Sequence, residues 1–174
     1  MIIRPMGGDD LPAVSAIEQQ MEDGWTEGML AAQLTAARGV CLLVEAAGEV
    51  FGYIFCRYAA DEAEVLRLGV VVALRRRGLG SRLLAAALQC LVRHGVTTCF
   101  LEVRRSNGAA RGLYAGNGFV DVGTRRHYYR APVEDGLVMR RNLAGQPEIG
   151  TGSAPGICTP SRDDQASVCP TTMV

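Results

Sequence analysis

The chain has 174 residues, 18 basic and 18 acidic side chains, and 48% hydrophobic residues, a length that predicts one domain able to bury a core without disulfide or metal staples. All 18 basic residues are Arg, which excludes a P-loop lysine, a Schiff-base lysine and a Ser-x-x-Lys nucleophile. His94 and His127 are the only histidines, too few for a multi-His metal site, and zero net charge argues against nonspecific nucleic-acid binding.

In chain order, residues 2–5 read as a short strand. Over residues 9–21 apolar side chains fall at Leu11, Val14, Ile17 and Met21, which is helical spacing, with acids in the first turn to suit the dipole. Thr26 is placed to cap a second helix carrying Met29, Leu30 and Leu34. Residues 40–46 and 50–58, rich in β-branched and aromatic side chains, flank Ala47-Gly48-Glu49 and predict a hairpin. A third strand is expected at 63–72. Residues 79–92 predict a helix with Leu83, Leu84, Ala87, Leu88 and Leu91 on its inner face. A strand at 97–103, a helix at 108–116 and strands at 119–123 and 137–142 complete the series. The order β-α-α-β-β-β-α-β-α-β-β predicts an α/β sandwich around a mixed sheet, with the domain at residues 1–143.

Composition changes after Leu143. Residues 144–174 hold four Gly, four Pro and no hydrophobic period, too little apolar surface to offset ordering entropy, so a disordered tail is expected. Cys41, Cys56, Cys90 and Cys99 lie singly in apolar runs, without Cys-x-x-Cys spacing or a secretory leader. They read as small buried hydrophobes of a protein in the reducing cytoplasm. Cys158 and Cys169 match no metal spacing and read as solvated bystanders. No apolar run approaches the ~18–20 residues a membrane span needs.

The sharpest local signal is Arg75-Arg76-Arg77-Gly78-Leu79-Gly80, directly after a strand and before a helix. A helix start offers unpaired N–H groups and about half a positive charge, which suits a pyrophosphate. Glycines at 78 and 80 remove Cβ atoms that would block backbone approach, and arginines can grip further phosphate oxygens. Taken alone, such a Gly-x-Gly is as often turn chemistry as a ligand cradle.

This loop resembles the phosphate-binding signature of the GNAT superfamily of acyl-CoA-dependent N-acetyltransferases, Arg/Gln-x-x-Gly-x-Gly/Ala, matched by Arg75, Gly78 and Gly80. The resemblance continues through Leu101-Glu102-Val103-Arg104-Arg105-Ser106-Asn107, Ala110-Arg111-Gly112-Leu113-Tyr114 and Gly118-Phe119. With Arg125-Arg126-His127-Tyr128-Tyr129 and Glu134-Asp135, it is similar to the RimI-type ribosomal-protein alanine N-acetyltransferases, over residues 1–143.

That resemblance implies a GNAT-like mixed central sheet flanked by helices, acetyl-CoA as co-substrate, no metal, and no nucleic-acid or membrane partner. The implied acceptor is a protein or peptide N-terminus, with an alanine N-terminus of a ribosomal protein as first candidate; the alternatives are a small amine or lysine side chain as acceptor, or a CoA-binding module without catalysis. It implies that Leu68, Gly69 and Val70 hold the acetyl-pantetheine arm through their backbones. The amides of Arg76, Arg77, Gly78, Leu79, Gly80 and Ser81 would cradle the pyrophosphate, and Asn107 would contact the pantetheine side. Glu102 is implied as general base and Tyr114 as general acid.

Each residue also has a plainer reading. Glu102 is equally an ion-pair partner for Arg104 or Arg105, Tyr114 a core tyrosine, and Asn107 a helix N-cap. Strand alternation puts Glu102 on the face opposite Leu101 and Val103. Trp25 reads as a packing anchor near the peptide site, and Tyr128 and Tyr129 as a strand pair or a substrate clamp. Three positions depart from the pattern: Val72 stands where the family usually has Pro, and Arg67 and His127 stand where RimI-type proteins usually have Asn.

Overall fold

A hairpin forms one side of the sheet. β2 (Gly39–Ala46) and β3 (Glu49–Ala59) pair antiparallel around a turn in which Ala47 and Gly48 take φ of 51° and 80°, the left-handed geometry that matches strand twist. β1 (Ile2–Pro5) adds on one side and β4 (Glu62–Val70) on the other, both antiparallel. β5 (Thr98–Arg104) then joins β4 in parallel, and β6 (Val120–Arg130) and β7 (Val133–Asn142) extend the sheet to the order β1-β2-β3-β4-β5-β7-β6. This computed structural model describes residues 1–21 and 23–145; the expected tail beyond 145, with Cys158 and Cys169, lies outside the described residues.

Both faces of the sheet are covered. On one, α3 (Leu79–Arg93) and α4 (Gly108–Gly116) pack Leu83, Leu84, Leu88 and Tyr114 onto Ile54, Val65, Leu101 and Val103. On the other, α1 (Leu11–Glu18) and α2 (Glu27–Leu34) pack Val14, Ile17 and Leu30 onto Leu43, Tyr53 and Phe55. Among the described residues no helix is long and apolar enough to cross a membrane.

One irregularity creates the site. In β3, Phe55 and Cys56 face Arg67 and Val65, so Leu66 is an extra residue in β4. Such a bulge bends its strand and increases the local twist. The β4–β5 ladder runs from Glu62 opposite Thr98 to Val65 opposite Leu101. Beyond that point β4 pairs with β3 and β5 with β7, and a gap opens between them.

Several boundaries differ from the sequence expectation. The first helix stops at Glu18 rather than residue 21, because its last turn tightens into i→i+3 bonds from Gln20 to Ile17 and Met21 to Glu18. β4 ends at Val70, and residues 72–74 form a 3-10 turn. β6 runs to Arg130 instead of 123. It is an edge strand exposed at all but Tyr129, so its sequence carries no apolar alternation, and only the pairing with β7 reveals it.

Candidate active site

α3 begins on Gly78, whose φ of 79° is left-handed, two residues after Arg76 at φ 63°. No side chain caps this end, which leaves the amides of the first turn directed outward. Gly80 has a second reason to be glycine: a Cβ there would lie 2.6 Å from Leu113 Cδ1 of α4. The two helices thus close to near contact beside the amide cluster.

These amides open into a cleft of about 840 Å³, lined by Arg76, Gly78, Leu79, Gly80 and Ser81 at the start of α3 and by Asn107, Leu113 and Tyr114 around α4. Leu68 and Val70 of β4 and Arg67 and Arg104 at the gap line its middle, and Gln20, Met21 and Asp23 after α1 form the far wall. Because α3 and α4 cover one face and α1 the other, the cleft passes through the sheet at the β4–β5 gap. The Val71 N–H reaches Phe51 O on β3 at 2.9 Å. By strand alternation Leu68 and Val70 turn their backbone groups away from β3 and into the gap, whereas Gly69 turns its own toward β3. The Val70 carbonyl on that side accepts from Arg75 Nε at 3.1 Å.

Of the residues singled out in the sequence, Leu68, Val70, Arg76, Gly78, Leu79, Gly80, Ser81, Asn107 and Tyr114 share this cleft. Gly69, Arg77 and Glu102 stand outside its lining. Gly69 packs so closely that a Cβ would lie 2.5 Å from the Tyr53 ring and 2.7 Å from Met21 Cε. Asn107 accepts from Ala110 N at 3.0 Å and so caps α4 while lining the cleft.

Glu102 and Tyr114 approach from opposite faces. Tyr114 lies in the core on the α3 side, its ring edge-on to Phe119 at 5.9 Å, and burial pushes its phenol well above the usual tyrosine range. Glu102 sits on the other face, 14% exposed, with Arg125 Nε 2.9 Å from its carboxylate. A hydrogen bond to Glu102 holds the Tyr128 phenol up at about 12. Nearby Glu64 of β4 is also pushed upward, first by burial and then by the charge of Glu102.

The α1–α2 wall is built on a buried carboxylate. Glu18, 1% exposed, accepts from Arg67 Nε and Nη2 at 3.0 and 2.8 Å and from the Trp25 N–H at 2.5 Å. The Trp25 ring lies against Phe55, with the Arg67 guanidinium 5.8 Å from its centre. Arg67 therefore serves the wall, a role that its strand sequence does not reveal. Arg104, offered by the sequence as a partner for Glu102, pairs instead with Asp23, and each of the two is recognisable only through the other. Val72 starts the 3-10 turn and donates its N–H to Gln20 Oε1 at 3.2 Å, a bond proline cannot make. His127 occupies a bulge in β6 at φ 50°, its N–H on Asp135 Oδ1 at 2.9 Å, and Tyr128 and Tyr129 stand perpendicular with ring centres 5.1 Å apart.

The profile of the acetyltransferase (GNAT) family matches residues 11–119. The chain is 35% identical over 128 residues to the ribosomal protein bS18-alanine N-acetyltransferase of Escherichia coli (strain K12), covering 73% of this chain and 84% of that one. It is 34% identical over 145 residues to the N-alpha-acetyltransferase RimI of Mycobacterium tuberculosis (strain H37Rv), covering 79% and 89%. Among solved structures, the crystal structure of the ribosomal-protein-S18-alanine N-acetyltransferase from Escherichia coli superposes with a TM-score of 0.77 at 31% identity. That match covers 86% of this chain and 98% of the other.

Proposed function

The chain belongs to the GNAT family of acetyltransferases, and we propose that it transfers the acetyl group of acetyl-CoA to the N-terminal α-amino group of a protein. The first candidate acceptor is the N-terminal alanine of a ribosomal protein, the activity named for relatives 35% identical over most of the chain. Such an acceptor places the reaction in the cytoplasm. The observation that carries the reading is the cleft through the sheet with its amide cradle on one face; the Glu102 carboxylate and Tyr128 stand outside its lining on the other face.

The cradle fits a CoA pyrophosphate. The α3 N-terminus supplies N–H groups and positive dipole, and the left-handed Arg76 and Gly78 shape a concave backbone. Acetyl-CoA supplies an activated thioester. Leu68 and Val70 would hold its arm, the Val70 N–H facing the oxygen on which negative charge develops, and Asn107, which lines the same cleft, would contact that arm. Leu79, Gly80 and Ser81 would complete the cradle, with Arg77 adding its backbone amide from outside the cleft's lining.

Glu102 removes the amine proton directly or through water, and Tyr114 protonates the departing thiolate. The high phenol pKa of Tyr114 keeps its proton available throughout the working range. Attack is direct. Burial pushes the thiols of Cys41 and Cys99 up to about 11 and about 12 and holds Cys56 well above the usual thiol range, so these supply little thiolate for an acyl-enzyme. An α-amino group near ~7.8 is about 20% neutral at pH 7.2, against below ~0.1% for a lysine near ~10.4, which suits a single carboxylate base to an N-terminus.

The test is acetyl-CoA consumption against peptides differing only in their first residues, Ala-first peptides included, beside small amines and lysine side chains. Turnover confined to Ala-first peptides supports the reading. Preference for a small amine or a lysine replaces the acceptor, and no turnover removes catalysis.

A further inference from the structure

Two arginines from diverging strands hold one loop residue. Arg67 Nη2 of β4 donates to the Asp23 carbonyl at 2.8 Å, and Arg104 of β5 grips the Asp23 carboxylate with Nε and Nη2 at 2.9 and 2.6 Å. All three residues line the cleft. They meet beyond the last β4–β5 ladder pair, Val65 opposite Leu101, where no backbone bonds tie the strands.

Each arginine is anchored elsewhere as well. Arg67 is fixed by both oxygens of buried Glu18. Arg104, 15% exposed, donates to the Ala131 carbonyl at 3.2 Å, lies 4.1 Å from the Tyr129 ring centre and is 3.5 Å from Glu134. It thereby ties the segment after α1 to the β6–β7 hairpin across the mouth of the cleft. An exposed ion pair contributes little by itself. Here Nε and Nη2 converge on the one oxygen Asp23 Oδ2, and the guanidinium is held in turn by the Ala131 carbonyl and by a cation–π contact with Tyr129, which makes the pair a geometric constraint.

We propose that Asp23 is a positioning residue for the acceptor amine, with the Arg67–Asp23–Arg104 clasp setting the width of the gap on the side away from the phosphate cradle. This rests on the acetyl-transfer reading, with the donor on the α3 side of the sheet. An amine arriving from the α1 face then meets a wall held at fixed distance from β4, and loosening that wall weakens the hold on the acceptor in ground and transition state alike. Asp23 lies in the wall opposite the amide cradle, so donor binding should not depend on it.

The experiment is two-substrate steady-state kinetics of the full chain carrying Asp23→Ala or Asp23→Glu, on whichever amine the wild type acetylates best. Asp23→Ala should raise the acceptor KM about tenfold and leave the acetyl-CoA KM within about twofold and kcat within about threefold. Asp23→Glu, which keeps a carboxylate for Arg104, should recover most of the loss. Hydrogen exchange at residues 19–26 should quicken in Asp23→Ala, with the α3 amides unchanged. An unchanged acceptor KM in an active enzyme, or equal rises in both KM values, overturns the proposal. If the wild type acetylates no amine, the acetyl-transfer reading fails on its own and exchange decides the clasp: unchanged protection at 19–26 overturns it, and faster exchange confined there supports it.

Discussion

The Glu102 carboxylate serves two partners at once, Arg125 Nε at 2.9 Å and the hydroxyl of Tyr128. A carboxylate that accepts from a phenol stabilises the protonated phenol, and Tyr128 is pushed up to about 12 by that bond, then by burial and by the charge of Glu102, against the opposing effect of Arg125. Replacing Glu102 by Gln removes the charge and weakens the acceptor, so this phenol should fall toward the ordinary value near ~10. Alkaline ultraviolet titration of wild type, Glu102→Gln and Tyr128→Phe checks it. A late-titrating phenol should move in the first variant and vanish in the second.

The two catalytic assignments separate by pH. Glu102→Gln should slow turnover most at low pH, where the amine is charged, and recover partly as rising pH supplies neutral amine. Tyr114→Phe should lose roughly 10²–10⁴ in rate at every pH, because the leaving thiolate still needs a proton and burial keeps the wild-type phenol protonated well past the assay range. The pH–rate profiles on one α-amino peptide distinguish them. A wild-type rate for Glu102→Gln across the range would leave Glu102 as an ion-pair partner.

Gly78→Asp tests the cradle. A Cβ at Gly78 meets no atom within 4 Å, and the cost there is the left-handed φ of 79°, which Asp tolerates better than most residues. The fold should persist while the added charge occupies the positive end of the helix dipole and repels the incoming pyrophosphate. Calorimetry should show acetyl-CoA affinity down by more than about tenfold. Unchanged affinity would move the phosphate site elsewhere.

Gly69→Ala should act on stability. Its Cβ would press on the Tyr53 ring at 2.5 and 2.8 Å, and Tyr53 is fully buried, so the ring cannot move without repacking the α1 side. A loss of about 1–3 kcal/mol in denaturant unfolding is expected.

Arg67→Met should cost more, about 3 kcal/mol or above, because it strands the Glu18 carboxylate in the core with only the Trp25 N–H. Adding Glu18→Met should recover part of that loss, since the charge requiring a partner is then gone. Chemical unfolding of both variants gives the comparison; an unchanged midpoint for Arg67→Met would mean Glu18 finds another partner.

The readable and unreadable parts of this protein divide by the range of the forces involved. The start of α3 is legible because a helix N-terminus and two glycines are local facts: the amide cluster follows from Gly78 and Gly80 whatever packs around them. Alternation along β5 likewise puts Glu102 opposite Leu101 and Val103, as the buried positions Cys99, Leu101 and Val103 show. The Thr26 cap is equally local, with Met29 N on Thr26 Oγ1 at 3.3 Å.

What the local pattern lacks is pairing between distant segments. The extra residue at Leu66 appears only when β3 is laid against β4, and the gap it opens only when β5 joins. Glu102 has Arg104 and Arg105 as sequence neighbours, yet its ion pair is with Arg125 of the edge strand β6, because Arg104, on the same face, is taken by Asp23 and Glu134 and Arg105 falls on the opposite face. Asp23 and Arg104 are 81 positions apart, and nothing in either local sequence announces the other. Periodicity and turn chemistry determine the elements and the phosphate-binding end; the opposite wall was decided by tertiary structure, since its groups gain partners only when strands remote in sequence are brought side by side.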